Sequence, residues 1–218
     1  MPSTRPASQP QPTAPAGPYW DEVYQRRGAA GVSWFQAEPR TSLDLIRALA
    51  IAPDTPIIDA GAGAGSLSAH LAAAGFTDLT AVDVSAAALQ AARERAAGQP
   101  AACRIRWIRA DLLTWAPDRR YGLWHDRAVF HFLTDPASRT AYLATMRAAL
   151  QPGGTVILAA FGPDGPTHCS GLPVARYSPG GLAAALGPSF TLTGARRERH
   201  TTPDRAIQPF TWITATFR

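Results

Sequence analysis

The sequence predicts an α/β protein built on a doubly wound, mostly parallel sheet. Three observations predict it. Apolar segments of strand length alternate with segments of helical periodicity from Pro56 to Phe161. The first, Ile57-Ile58-Asp59-Ala60, runs straight into Gly61-Ala62-Gly63-Ala64-Gly65-Ser66, a glycine-rich turn opening a helix. The second, Leu79-Thr80-Ala81-Val82, ends in Asp83. Glycines let a backbone approach a ligand closely, and a carboxylate at a strand tip can hold ribose hydroxyls. The pair points to a nucleoside-bearing cofactor at the C-terminal edge of the sheet.

Each element follows from local pattern. Residues 1–18 hold six prolines among Ser, Thr, Gln and Ala. They cannot bury enough apolar surface to offset their ordering entropy, which predicts a disordered tail before a single domain over 19–218. Tyr19, Trp20, Val23 and Tyr24 suit an amphipathic helix ending near Arg27, and Thr41 or Ser42 can cap a helix to about Ala50. Strand 56–60 leads into helix 65–75, and strand 79–83 into helix 86–97, capped by Ser85. Strand 104–109 precedes a polar loop at Asp111. Strand 121–126 precedes helix 136–150, and Pro152-Gly153-Gly154 turns into strand 155–161. Helix 178–186 leads to strands 189–199 and 207–217 around Pro203-Asp204-Arg205, an antiparallel hairpin closing a seven-stranded sheet.

Composition narrows the function. Every one of the 21 basic residues is arginine, and the net charge is +5. The arginines are scattered apart from Arg104/Arg106/Arg109, Arg119-Arg120 and Arg196-Arg197/Arg199, a pattern of solvated faces rather than a nucleic-acid surface. No apolar run approaches the roughly 18 residues that span a bilayer. No apolar leader core and no disulfide framework (the cysteines are Cys103 and Cys169) are seen, so a cytoplasmic location is expected. Nothing in the sequence speaks to oligomeric state.

Glycine turns of this kind occur in dinucleotide-dependent dehydrogenases and in methyltransferases. Asp59 lies two positions before the first glycine, where a carboxylate would accept from an ammonium but repel a pyrophosphate. Ser66 stands where the dehydrogenase pattern wants glycine or alanine. A third strand ends in Ala110-Asp111-Leu112, a natural adenine-edge contact. With these residues the chain resembles a class I S-adenosylmethionine-dependent methyltransferase, of Rossmann-like fold, over about 19–218. The resemblance implies that Asp59 and the backbone of Gly61, Gly63 and Gly65 hold the methionine part of S-adenosylmethionine. It implies that Asp83 binds the ribose hydroxyls and that Val84 packs on adenine. Asp111 would face the adenine amino group, with Leu112 beside it, and Asp126 would end strand four below the transferred methyl.

A closer resemblance is to the branch containing thiopurine and halide/thiol methyltransferases. It rests on Trp20…Tyr24…Ser33-Trp34-Phe35-Gln36…Arg40, similar to a tryptophan-containing segment that lies over the cofactor. It rests also on Asp126-Arg127-Ala128, similar to an Asp-Arg-Gly motif. The third match is the loop from Gly162-Pro163-Asp164-Gly165-Pro166 to Gly171-Leu172-Pro173-Val174. It implies a small-molecule acceptor, a thiol first; Tyr24 and Phe35 read as walls of its site or as core, and Cys169 and Arg176 as substrate contacts or as plain loop and surface residues. A thiol is partly ionised near neutrality, and Arg127 or Arg176 would raise its thiolate fraction. An oxygen or nitrogen acceptor wants a base, and His131 stands five residues past the strand-four tip. Each of these three also reads as a paired or packed structural residue. His125 and His168-Cys169 match no feature of that branch, and His168-Cys169 with His131 or His200 lacks the paired spacing of a metal site, so no metal is expected. Three alternatives stay open. Tyr19-Trp20-Asp21-Glu22-Val23-Tyr24 is shared with lysine-modifying protein methyltransferases. A natural-product O- or N-methyltransferase and a non-catalytic cofactor-binding regulatory module also fit.

Overall fold

Alternate residues along β1, Ile57–Ala60, face opposite ways, and that two-residue period divides the core. Ile57 packs with Leu43, Ile46, Leu67 and Leu71 on one face, whereas Ile58 packs with Trp124, Tyr142, Met146 and Leu182 on the other. A strand buried on both faces reads as the continuous apolar run seen in the sequence. The computed structural model describes residues 17–218.

The elements run α1 (Gly17–Arg27), α2 (Arg40–Ala48), β1, α3 (Leu67–Ala73), β2 (Leu79–Asp83), α4 (Ala86–Ala96), β3 (Ile105–Arg109), β4 (Tyr121–Arg127) and α5 (Pro136–Ala149). They continue with β5 (Leu150–Phe161), β6 (His168–Cys169), β7 (Leu172–Pro173), α6 (Pro179–Leu186), β8 (Phe190–Thr201) and β9 (Ile207–Phe217). Seven strands form one sheet in the order β3-β2-β1-β4-β5-β9-β8. β3, β2, β1, β4 and β5 are parallel, and β9 and β8 add antiparallel. The strand order reverses between β1 and β4, and in doubly wound sheets ligands bind in the crevice at that point. The long outer strand β8 is blunted by exposed Arg196, Arg197 and Arg199.

The expected fold is present, with local corrections. The tail expectation falls on residues 1–16, outside the described residues, while positions 17 and 18 already belong to α1. Helix α2 starts at Arg40 behind Pro39, so Thr41 and Ser42 lie inside its first turn and cap nothing. Their hydroxyls reach other elements instead: Thr41 Oγ1 donates to Glu198 (3.0 Å) and Ser42 Oγ sits 2.9 Å from His125 Nε2. Ser85 does cap α4, accepting from the Ala88 amide at 3.0 Å.

Helix α1 is fastened over the crevice. Asp21 Oδ1 accepts from Ser85 Oγ (2.6 Å) and the Ala87 amide (3.0 Å), Tyr19 Oη donates to the Ser170 carbonyl, and Trp20 packs edge-on against Trp34 and Phe132. Tyr24 Oη accepts from Trp34 Nε1 at 3.2 Å and presses on the glycine turn.

Glycine is required in that turn for two reasons at once. Gly61 and Gly63 take φ +71° and +56°. A Cβ on Gly61 would lie 1.9 Å from Val129 Cγ2, and one on Gly63 would lie 2.5 Å from Tyr24 Oη. Gly61→Ala therefore adds a left-handed penalty of about 1–2 kcal/mol to a clash. Thermal denaturation is expected to show Tm lowered by about 4 °C or more; an unchanged Tm contradicts this packing.

Candidate active site

The amide donors of the glycine turn are occupied. The amides of Gly61 and Ala62 donate to the Val82 carbonyl (2.8 and 3.0 Å), and Gly63 donates to Asp83 Oδ2 (2.8 Å). Ala64 reaches Tyr24 Oη (3.4 Å) and Gly65 the Ala62 carbonyl (3.0 Å). A phosphate-binding turn aims free amides at its anion. This one has none to offer between Gly61 and Gly65, and carboxylates flank it. It suits a cationic, phosphate-free nucleoside, not a dinucleotide. Its amides are turned inward, so the glycines offer a ligand close approach of the backbone and their carbonyls rather than free N–H donors.

The cavity at the sheet's reversal point is lined by Asp59, Gly61, Gly63, Gly65, Asp83, Val84, Asp111 and Leu112. Trp34, Tyr24, Phe35, Arg127 and Cys169 also line it, so thirteen of the expected site residues meet in one place. Asp83, at the tip of β2, accepts from Gly63 and from the Ser85 amide (2.8 Å). Burial pushes its carboxyl up to about 6, and the like charges of Asp59 and Asp21 push the same way. Asp111, more exposed at the rim, holds its turn by accepting from the Leu113 amide (2.9 Å).

Three residues expected to act on the acceptor stand outside the cavity lining. Asp126 is fully buried and ties the turn after β4 together. It accepts from the Val129 amide (2.9 Å), the Phe130 amide (3.2 Å) and Tyr142 Oη. Burial raises its carboxyl to about 6. His131 is fully enclosed against Phe132, Phe161 and Phe210, and neither ring nitrogen has a hydrogen-bond partner among the described residues. Burial, reinforced by Arg127, drives its pKa down to about 3, so it is neutral and a poor base near pH 7. Arg176 clamps the loop after β5 through the carbonyls of Pro163 (2.9 Å) and Gly165 (3.4 Å). Tyr24 meets the glycine turn, at the cofactor side of the cavity. Cys169 lines the wall, but burial lifts its thiol to about 11, so it remains protonated.

Sequence reasoning missed Ser42 and His125 as cavity residues. Asp59 Oδ1 lies 2.9 Å from His125 Nδ1, and β1–β4 pairing sets the two residues side by side. Ala128 takes φ +76°, the left-handed conformation that a glycine would fill without strain, at the place where the resembled motif has glycine. Among the described residues no group of His, Cys, Asp and Glu is arranged to hold a metal, and His200 faces the Ser33 carbonyl (2.8 Å).

The family described as "Methyltransferase domain" matches residues 57–154, the segment carrying the glycine turn, Asp83 and Asp111. Those residues carry a methyltransferase domain, and the chain as a whole has the class I, Rossmann-like methyltransferase fold. A trans-aconitate 2-methyltransferase of Sinorhizobium medicae is 31% identical over 189 residues, 84% of this chain and 66% of that protein. One of Methylobacterium radiotolerans is 34% identical over 153 residues, 68% and 54% respectively. The chain thus spans about two thirds of the first relative's length and about half of the second's. The N-methyltransferase NodS of Bradyrhizobium japonicum, solved with S-adenosylhomocysteine, shares the fold at TM-score 0.68 and 19% identity, covering 91% of this chain and 98% of that one. None of these relatives supports the closer likeness to the thiopurine and halide/thiol branch. No helix among the described residues is long and apolar enough to cross a membrane.

S-adenosylmethionine is the cofactor of this methyltransferase fold, and the residues fit it: carboxylates and aromatic walls, with no free amide cradle for phosphate. Ribose hydroxyls donate to a carboxylate but gain little from a carboxylic acid. Asp83 is protonated below about pH 6 and ionised above it. Affinity for S-adenosylhomocysteine is therefore expected to rise from pH 5 to pH 7 with a midpoint near 6, measured by calorimetric titration. Asp83→Asn should weaken binding at pH 7 and remove that rise. A flat profile in the unsubstituted protein contradicts the ribose assignment.

Proposed function

We propose that this methyltransferase esterifies a small carboxylic acid. The observation that carries the proposal is Arg127. Its Nη1 donates to the Trp34 carbonyl (2.9 Å) and its guanidinium lies over Phe210 (4.6 Å to the ring centroid). Its Nε and Nη2 are enclosed without a hydrogen-bond partner among the described residues. Unpaired buried donors on a charged group are costly, and a bidentate carboxylate is the group that best satisfies a guanidinium edge. Burial lowers the Arg127 pKa to about 10, which leaves it charged near neutrality.

The acceptor chemistry agrees. Bound S-adenosylmethionine supplies a sulfonium methyl that an ionised nucleophile takes by direct displacement, leaving S-adenosylhomocysteine. A carboxylate arrives ionised and needs no base, which suits a cavity whose expected base, His131, is neutral and walled off. Asp59 and Asp83 hold the cofactor, Arg127 anchors an acceptor carboxylate, and Trp20, Trp34 and Phe132 exclude water around it. The relatives named for trans-aconitate, a tricarboxylic acid, support the same acceptor class. A thiol is the second acceptor that fits, because the same guanidinium favours thiolate. A lysine side chain fits poorly, since Arg127 repels an ammonium and nothing beside it takes the proton.

The test is a panel of di- and tricarboxylic acids, thiols, phenols and amines with radiolabelled cofactor. Carboxylates are expected to turn over to base-labile methyl esters, and Arg127→Leu to lower kcat/KM by about tenfold to a hundredfold. Turnover of amines or phenols alone, or an Arg127→Leu enzyme of unchanged kcat/KM, overturns the proposal.

A further inference from the structure

We propose that His125 is a positioning residue that aims the Asp59 carboxylate at the ammonium of the cofactor's methionine end, through a Ser42–His125–Asp59 hydrogen-bond chain. This deepens the cofactor reading of the cavity and rests on it.

The chain is assembled from three elements. Parallel pairing of β1 with β4 puts Asp59 opposite His125, so their side chains emerge on the same face of the sheet. His125 Nδ1 lies 2.9 Å from Asp59 Oδ1, and Nε2 lies 2.9 Å from Ser42 Oγ, which α2 delivers from above. The three residues are 7%, 3% and 1% exposed (Asp59, His125, Ser42), and all border the cavity. The Trp212 ring, 6.2 Å away between centroids, backs the imidazole.

Donor arithmetic fixes the Asp59 end of the chain. A carboxylate only accepts, so Nδ1 carries the imidazole proton. In the neutral ring Nε2 accepts from the Ser42 hydroxyl, and in the imidazolium it donates to Ser42 Oγ; in both, Nδ1–H faces Asp59. Every polar atom of the histidine is satisfied in this arrangement, in contrast to His131, whose two nitrogens have no partner. The bond to Oδ1 fixes the plane of the Asp59 carboxylate. Oδ2 has no hydrogen-bond partner among the described residues, and it is the oxygen left for a ligand donor. A ligand ammonium beside it completes the carboxylate's coordination without a reorientation cost, which is the advantage of a preset partner.

A structural role for the triad and a positioning role make different predictions. S-adenosylhomocysteine carries the amino-acid end; 5′-methylthioadenosine keeps the adenosine and sulfur but lacks it. Calorimetric titration of the full chain with both ligands separates the two. His125→Leu keeps the bulk and removes the donor. It is expected to weaken S-adenosylhomocysteine by about tenfold or more while changing methylthioadenosine by less than twofold. His125→Asn, whose amide nitrogen can stand where Nδ1 stands, is expected to recover most of the loss. Ser42→Ala is expected to fall between. Equal losses for both ligands, no loss for either, or an Asn variant no better than Leu overturns the proposal. Failure of the unsubstituted protein to bind S-adenosylhomocysteine overturns the cofactor reading itself, a distinguishable result. If His125→Leu does not fold, nitrogen NMR of histidine-labelled unsubstituted protein decides: a neutral ring protonated at Nδ1 supports the chain, and a proton on Nε2 alone overturns it.

Discussion

The turn after β1 is bonded to the end of β2, and the rest of the site depends on that bond set. Val82 receives two amides of the turn and Asp83 receives a third, so the glycine segment and the second strand tip form one rigid unit. Rigidity there places Asp83 at a set depth in the crevice. It also presents a surface of Cα atoms on which the Tyr24 hydroxyl can rest, and Tyr24 in turn meets Trp34. Helix α1, the aromatic wall and the glycine turn are thus linked in sequence from the sheet outward. A turn with open amides would have lost this linkage and gained an anion site instead.

Charge is distributed unevenly along the cavity. Asp59 and Asp83 occupy one side and Arg127 another, all at the tips of strands buried on both faces. Burial disfavours the charged state of each shifted group: it raises the carboxyl of Asp83 and lowers the guanidinium of Arg127. Hydrogen-bond donors or an opposite charge brought by a ligand offset these costs. Ribose hydroxyls donating to Asp83, an ammonium beside Asp59 and an anionic acceptor at Arg127 would together satisfy both ends. The arrangement favours discrimination by charge sign more than by shape.

Much of this was legible in the chain. Strand and helix periods, the glycine run and the acidic tips of β1 and β2 are local patterns, and local patterns survive translation into structure with shifts of a few residues at element ends. A doubly wound sheet of seven strands followed from the alternation of elements and the terminal hairpin, while the order β3-β2-β1-β4-β5-β9-β8 came from the structure. What sequence could not show was the direction in which a side chain near a strand tip points. Asp126 and His131 sit where catalytic groups would be expected. Yet Asp126 faces the β4 turn and Tyr142, and the short turn at Phe130–Phe132 swings His131 into the phenylalanines of β5 and β9. Conversely, Ser42 read as a cap and His125 as an unplaced histidine, because their meeting depends on α2 packing over β4, 83 residues away in the chain. Only the packing of that helix on the sheet brings them together.

The contact between the Tyr24 phenol and Gly63 binds two distant positions into a single evolutionary unit. A lineage that acquires even a methyl group at position 63 has to surrender the phenol at position 24, and with it the polar anchor that Trp34 uses. The same accounting couples position 61 to Val129. The opening helix is therefore sterically coupled to the first β-to-α corner, and a side chain added at the corner has to be matched by a smaller or shifted one facing it.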